Sequence, residues 1–312
     1  MPFILAHGLA VITAVGTICA SLGLITWFIV SPEKAEEYLS GHRPTYFSSP
    51  IDTDRLDDYG PVFAVGHNAG ATLKSTRQAI ANGAGVIEID VASMDGTLVA
   101  AHYPPLAMVG RRVFRGPTLE AVWRASTSAA AIQLNLKEST TTFRTLLFAF
   151  LEEHADNRAI IVTTENVTTL DLLMEQFPDV IRLLSVPDQA RLQSLYGNTG
   201  LVAAIDGVTI RYQLVNAESV TRLKALDLIV IAWTVNDLAT VNDFVQIGVD
   251  GISTDNLAIM NLLGANHNGL RLFADHRSGP ATAQQPTPKT ASSLDPAHTA
   301  GLFPWPGPVI AG

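Results

Sequence analysis

Eight short apolar runs, most of them separated by a helix-type segment, constrain this chain more than any other feature. They fall at residues 62–65, 86–91, 131–136, 160–164, 181–185, 207–210, 229–233 and 251–253, each of a length suited to a buried parallel strand. The helix-type segments lie at 71–82, 118–126, 139–154, 168–177, 187–195, 216–225 and 237–247. Eight β runs in regular βα alternation over about 200 residues predict an α/β fold of the closed (β/α)8 kind, a TIM barrel near the lower size limit for that architecture. An open doubly wound sheet is the alternative, because one strand fewer removes closure.

The flanks have a different character. From Phe3 to Val30 there is no Lys, Arg, Asp or Glu, and His7 is the only titratable side chain. That run exceeds the ~20 apolar residues a helix needs to cross a bilayer. Residues 8–30 are therefore expected to form a transmembrane helix, making 1–30 an N-terminal anchor and the protein single-pass. A cleaved signal peptide is the alternative, disfavoured because no basic residue precedes the run and the run is long for a signal. Lys34 and Arg43 follow the span and none precedes it, which tilts the domain toward the cytoplasm but leaves the side open. Residues 31–60 read as a juxtamembrane connector and 61–265 as the barrel. Residues 266–312 are rich in Pro, Ala, Ser and Thr without periodicity, and read as a disordered tail. Within that tail "FPWPGP" could present a polyproline turn to an aromatic groove, the basis of a scaffold reading that leaves the barrel's polar residues unexplained.

Only 16% of residues are charged, the formal net charge is −9, and there is no run of Lys and Arg. A nucleic-acid partner is therefore excluded on electrostatic grounds. A small anionic substrate remains compatible if a metal or a local basic group offsets the field. Cys19 is the only cysteine, so intramolecular disulfides and thiolate clusters are ruled out, and any metal must be held by oxygen or imidazole.

Barrel enzymes build their sites at the carboxyl ends of the strands. His67 follows the first run, Glu88 and Asp90 sit late in the second, Asn135 and Lys137 close the third, and Glu165 follows the fourth. Arg211 and Tyr212 follow the sixth, Trp233 and Asn236 lie at the seventh, and Asp255 follows the eighth. Positions i and i+2 of a strand share a face, so Glu88 pairs with Asp90 and Asn135 with Lys137. Two carboxylates side by side in a lumen must share a proton or bind a cation. All-oxygen ligands favour Mg²⁺ or Ca²⁺ over zinc. The bland alternative turns one carboxylate outward to cap a helix. "MDGTLVAAHYPP" reads as a hairpin turn at Asp95-Gly96 whose return strand carries His102 back to the rim. His67 and His102 would then form an acid–base pair near neutral pH. His7, His42, His154, His267, His276 and His298 read as satisfied core or surface groups.

Taken together, "GHNAG", "GAGVIEIDVASMDGTLVAAHYPP", "LNLKE" and "VIAWTVNDLATVNDFVQIGVDGISTDN" resemble the glycerophosphodiester phosphodiesterases, in the family's order and spacing across roughly residues 62–265. The resemblance implies the same (β/α)8 barrel and a metal-dependent phosphodiesterase acting on glycerophosphodiesters or lysophospholipids. It makes Glu88 and Asp90 ligands of one divalent cation, Mg²⁺ or Ca²⁺, and His67 and His102 the acid–base pair. Lys137 becomes a cation near the phosphate, and Trp233 lines the pocket for the alcohol part.

Four departures accompany the resemblance. The family's third acidic ligand is Asn135 here, whose amide oxygen can coordinate but brings no charge. The arginine that normally follows the first histidine is Asn68, which keeps the substrate-facing position but loses a bidentate clamp. The usual acid-bearing loop is shortened to "AGAT", and the aspartate after the second histidine is Tyr103. Glu165 is the nearest replacement carboxylate. These departures open a second expectation, a phosphate- or lipid-headgroup-binding barrel with weakened chemistry. The short His67–Glu88 spacing is also similar to the sphingomyelinase D branch.

Overall fold

The computed structural model describes residues 44–50, 61–103, 114, 116–154 and 158–264. The expected anchor at 8–30, most of the connector and the tail at 266–312 lie outside the described residues, as do His7, Cys19, His42, His267, His276 and His298. No helix among the described residues is long and apolar enough to cross a membrane.

Every expected strand forms. In chain order the strands are β1 (Phe63–Gly66), β2 (Val86–Met94), β3 (Thr97–Ala100), β4 (Ala131–Leu136), β5 (Ala159–Thr164), β6 (Ile181–Val186), β7 (Gly207–Arg211), β8 (Ile229–Trp233) and β9 (Gly251–Thr254). The helices are α1 (Leu73–Ala81), α2 (Leu119–Ala125), α3 (Thr141–His154), α4 (Val167–Gln176), α5 (Gln189–Leu195), α6 (Thr199–Ala203), α7 (Ala217–Lys224), α8 (Leu238–Gln246) and α9 (Leu257–Gly264). The sheet runs β1-β9-β8-β7-β6-β5-β4-β2-β3, and β1 also pairs with β2 in parallel through Val65↔Val86 and Gly66↔Ile87. That last pairing closes the eight parallel strands into a barrel and rules out the open sheet. β3 is the antiparallel return of a hairpin on β2, turned by Asp95 and Gly96 at φ +49° and +73°, the two left-handed residues that a type I′ turn requires.

Local chemistry explains why each loop delivers its helix. Thr72, Thr118, Asn166, Asp188, Asn216 and Asp237 each accept from a backbone N–H in the first turn of the helix that follows. Each satisfies a donor that the helix start would otherwise leave orphaned. Outside the sheet, side chains such as Phe143, Leu147 and Leu170 are fully buried between strands and helices. Truncating one such aromatic to alanine costs about 3–5 kcal/mol.

The lumen is divided along its axis. Its amino-terminal half is an apolar plug that includes Phe63, Val65, Val86, Ala131, Ile161 and Ile231. Gly251 is required here, because a Cβ would lie 2.6 Å from the Phe63 ring. On β6, Arg182 Nη2 meets Asp206 Oδ1 at 2.8 Å, and the Arg182 backbone N–H donates to Asp206 Oδ2 at 2.7 Å. Removing one partner of such a buried pair costs about 3–5 kcal/mol. Polar side chains collect at the opposite, carboxyl end of the strands.

Candidate active site

Glu88 and Asp90 point into the lumen together from β2, and they are only 6% and 3% exposed. The outward-capping alternative is therefore excluded. Parallel register sets Asp90 beside Asn135 and Glu88 beside Gln133 on β4. Asn135 Nδ2 donates to Glu88 Oε1 at 3.1 Å and to Asp90 Oδ1 at 2.9 Å. Ser253 Oγ also donates to Glu88 Oε2, at 3.3 Å.

Asp90 carries two further partners. Lys137, one residue past β4, places Nζ 3.0 Å from Asp90 Oδ1. The β2–β3 hairpin returns the chain so that Ala101 N–H donates to Asp90 O at 2.8 Å. That contact sets His102 Nδ1 at 2.5 Å from Asp90 Oδ2. Burial by itself would raise the Asp90 carboxyl, but hydrogen bonding from His102 and the charge of Lys137 outweigh it and hold the group below its ordinary range. The sequence reading offered two ways to relieve the paired carboxylates, a shared proton or a cation. The fold supplies a third: an amide that bridges them and an ammonium on one side.

His67 is fixed from the other side of the closure. Its Nδ1 lies 2.9 Å from Asp255 Oδ1, and Asn236 Nδ2 donates to Asp255 Oδ2 at 3.2 Å. Burial lowers the imidazole's affinity for a proton, but the hydrogen bond to Asp255, with the charges of Glu88, Asp255 and Asp90, overrides it and pushes His67 up to about 9. The folded value lies above the ordinary 6.5. The pair's contribution to stability is therefore complete below about pH 6.5 and is lost as pH rises through about 9. Tyr46 donates to the His67 carbonyl at 3.1 Å. Burial, then Asp255 and Glu88, push its phenol well above the usual range.

His67, Glu88, Asp90, His102, Asn135, Lys137 and Trp233, all expected from sequence, line one cavity of about 750 Å³ at the carboxyl end of the barrel. That size suits a small ligand. Asn68 is placed differently. It is 2% exposed, left-handed at φ +46°, and its backbone N–H faces Glu88 Oε2 at 3.4 Å. It stands beside the lining rather than in it. Glu165 lines the mouth but is exposed, and Asn166 rather than Glu165 caps α4. Arg211 lies 5.5 Å from the Trp233 ring and also lines the cavity. His154, read as a satisfied core group, meets Glu120 Oε2 at 2.9 Å outside the lumen. Sequence reasoning placed Asp255 and Asn236 at strand ends without assigning them roles. Their partnership with His67 spans 188 residues and becomes visible only when the barrel closes.

Among the described residues no group of three or more His, Cys, Asp or Glu is arranged to hold a metal ion. The donor chemistry nevertheless fits a hard cation. Oε1 of Glu88 and Oδ1 of Asp90 converge on a single atom, the Asn135 amide nitrogen. A carboxamide presents N–H to bare carboxylates and its oxygen to a cation, so rotation of the Asn135 amide would give three oxygen donors. Two carboxylates and neutral oxygens suit Mg²⁺ or Ca²⁺ rather than a thiophilic metal. Lys137 and His102 already offset Asp90, which makes any such site a weak one.

The model of the Glycerophosphoryl diester phosphodiesterase family matches residues 124–259, from α2 into α9. No curated protein matches the chain. A phosphodiesterase from Oleispira antarctica, solved with its product sn-glycerol-3-phosphate, is 19% identical, with a TM-score of 0.53 over 68% of this chain and 96% of its own. The glycerophosphodiester phosphodiesterase from Thermotoga maritima is 20% identical, with a TM-score of 0.51 over 64% of this chain and 96% of its own. One from Parabacteroides distasonis is 18% identical, with a TM-score of 0.50 over 69% and 98%. At these identities the solved structures establish the fold, and the family match adds to it the region that carries Asn135, Lys137, Trp233 and Asp255.

Proposed function

We propose that this chain is a phosphoric diester hydrolase that cleaves glycerophosphodiesters or lysophospholipids to an alcohol and a glycerol phosphate product, a reading supported by its match to the Glycerophosphoryl diester phosphodiesterase family model. The observation that carries this reading is the convergence of His67, His102, Glu88, Asp90 and Lys137 on one cavity. A bound phosphodiester meets Lys137 at the rim, where an ammonium can hold the negative charge that develops on the phosphoryl oxygens. His67, protonated up to about pH 9 through Asp255, is the donor that protonates the departing alkoxide. The base role then falls to His102. Asp90 holds its Nδ1, so Nε2 takes the proton of the attacking hydroxyl, either water or a neighbouring hydroxyl of the substrate. Arg211 and Trp233 face the alcohol part from β7 and β8. A divalent cation, Mg²⁺ or Ca²⁺, is proposed at Glu88, Asp90 and Asn135, where it would polarise a phosphoryl oxygen when bound.

The acid–base division predicts a specific pH behaviour. Wild-type kcat/KM should fall on the alkaline side near the His67 value of about 9. Asp255→Asn removes the hydrogen-bonded carboxylate that raises His67, so the limb should move down by about one to two pH units. A pH–rate profile checks this, and an unmoved limb would assign the acid elsewhere.

We further propose that residues 8–30 anchor the barrel to a membrane as a single span, bringing it to lipid-derived substrates. Residues 31–60 would then be the connector and 266–312 the disordered tail. The decisive experiment incubates the full chain with a panel of glycerophosphodiesters, lysophospholipids and sphingomyelin, with and without chelator, and identifies products in the carbonate-washed membrane fraction. Chelator-sensitive release of choline or ethanolamine from the first two classes supports the reading. Preference for sphingomyelin would favour the sphingomyelinase D-like alternative. Activity in the wash alone would remove the anchor. The Asn135 amide bridging both carboxylates favours a second reading, a headgroup-binding barrel that turns over nothing in this panel.

A further inference from the structure

Among the described residues only two buried side-chain atoms lack a hydrogen-bond partner, Gln133 Oε1 and Thr163 Oγ1. Both flank Asn135. Gln133 lies two residues before it on the same face of β4, and Thr163 is its register partner on β5. Gln133 is 2% exposed and lines the catalytic cavity. A buried carboxamide oxygen without a donor is costly, and a leucine or methionine there would pack on the plug residues Ala131 and Ile161 without that cost. An orphaned acceptor that shares a cavity wall with two carboxylates can be satisfied together with them by a cation.

We propose that Gln133 is a further oxygen ligand of the divalent-cation site, completing a cradle of two carboxylates and two carboxamides. The register supports it directly. Glu88 faces Gln133 and Asp90 faces Asn135 across adjacent strands, so the four side chains form a two-by-two block on one wall of the lumen. Gln133 starts two residues, about 7 Å, deeper than Asn135, and its additional methylene recovers part of that depth. The cradle keeps the number of protein oxygens high while its charge stays at two, because the acid expected at position 135 is an amide. Hard divalent cations accept amide carbonyls as ligands, and lower ligand charge lowers affinity. The inference rests on the hydrolase reading only for the presence of a cation; the identity of its ligands is a separate question with its own readout.

The test is Ca²⁺ titration of the full chain by calorimetry, with Mg²⁺ as a second probe, on wild type, Gln133→Met and Gln133→Glu. Gln133→Met should weaken Ca²⁺ binding by about 10-fold or more, and Gln133→Glu should tighten it by about 10-fold by restoring the third charge. Without cation, Gln133→Met should unfold at or above the wild-type temperature, because the orphaned oxygen is gone; a purely structural glutamine would lower it. Ca²⁺ affinity within about twofold of wild type in both variants would overturn the role of Gln133 while leaving the cation reading intact. No Ca²⁺ or Mg²⁺ binding by wild type would overturn both. If Gln133→Met fails to fold, Gln133→Glu alone decides: unchanged affinity sinks the proposal.

Discussion

His67→Gln is expected to lower kcat/KM on the preferred glycerophosphodiester by about 10²- to 10⁴-fold, the range for losing a positioned proton donor. That corresponds to about 2.7–5.5 kcal/mol of transition-state stabilisation. Glutamine keeps a polar side chain of similar reach, so Asp255 and Asn236 retain a neighbour to hydrogen-bond and the fold should hold. His102→Gln should fall in the same range, and the double variant should be little worse than the poorer single one, because acid and base act on one transition state. Steady-state kinetics on all three, with far-UV circular dichroism as the fold control, decides the matter. Additive losses would mean the two imidazoles serve separate steps. Turnover near wild type in either single variant would remove that histidine from the chemistry.

The barrel was legible because parallel strands are buried on both faces and must be written as continuous apolar runs, and because polar residues at their carboxyl ends stand out against them. Two helices were not legible. The five-residue α6 contains Gly200 and is too short to show a period. α9, Leu257–Gly264, is apolar on most sides, with Ile259, Met260, Leu262 and Leu263 buried, so it lacks the polar face that marks a surface helix. In the site, Glu88 and Asp90 were readable because i and i+2 share a face, and His102 because Asp95-Gly96 announces a hairpin. Asp255 and Gln133 were not. What distinguishes them is a partner, or the lack of one, across the lumen, and no local pattern encodes contacts that only closure creates. Asn68, chosen because it follows His67, is buried in a left-handed conformation with its backbone N–H facing Glu88 Oε2, a placement that no local pattern encodes.

Lys137→Met separates chemistry from cation binding, because the two should move in opposite directions. The ammonium sits 3.0 Å from Asp90 Oδ1 with its side chain 20% exposed, so it both offers charge to a phosphate and competes for the carboxylate a cation needs. Methionine preserves most of the stem's packing and removes the charge. Turnover should drop by about 10²- to 10³-fold, the usual loss when a donor aimed at developing negative charge is deleted. Ca²⁺ affinity should rise, because Asp90 loses the ammonium that competes with a cation for Oδ1. Lys137→Arg should not rescue turnover fully, since a planar fork cannot reproduce a compact point charge held against one carboxylate oxygen. Kinetics and calorimetry on the same preparations check both directions. A parallel fall in turnover and Ca²⁺ affinity would mean that Lys137 organises the cradle rather than opposing its cation, and the charge assignment for the whole wall would have to be reversed.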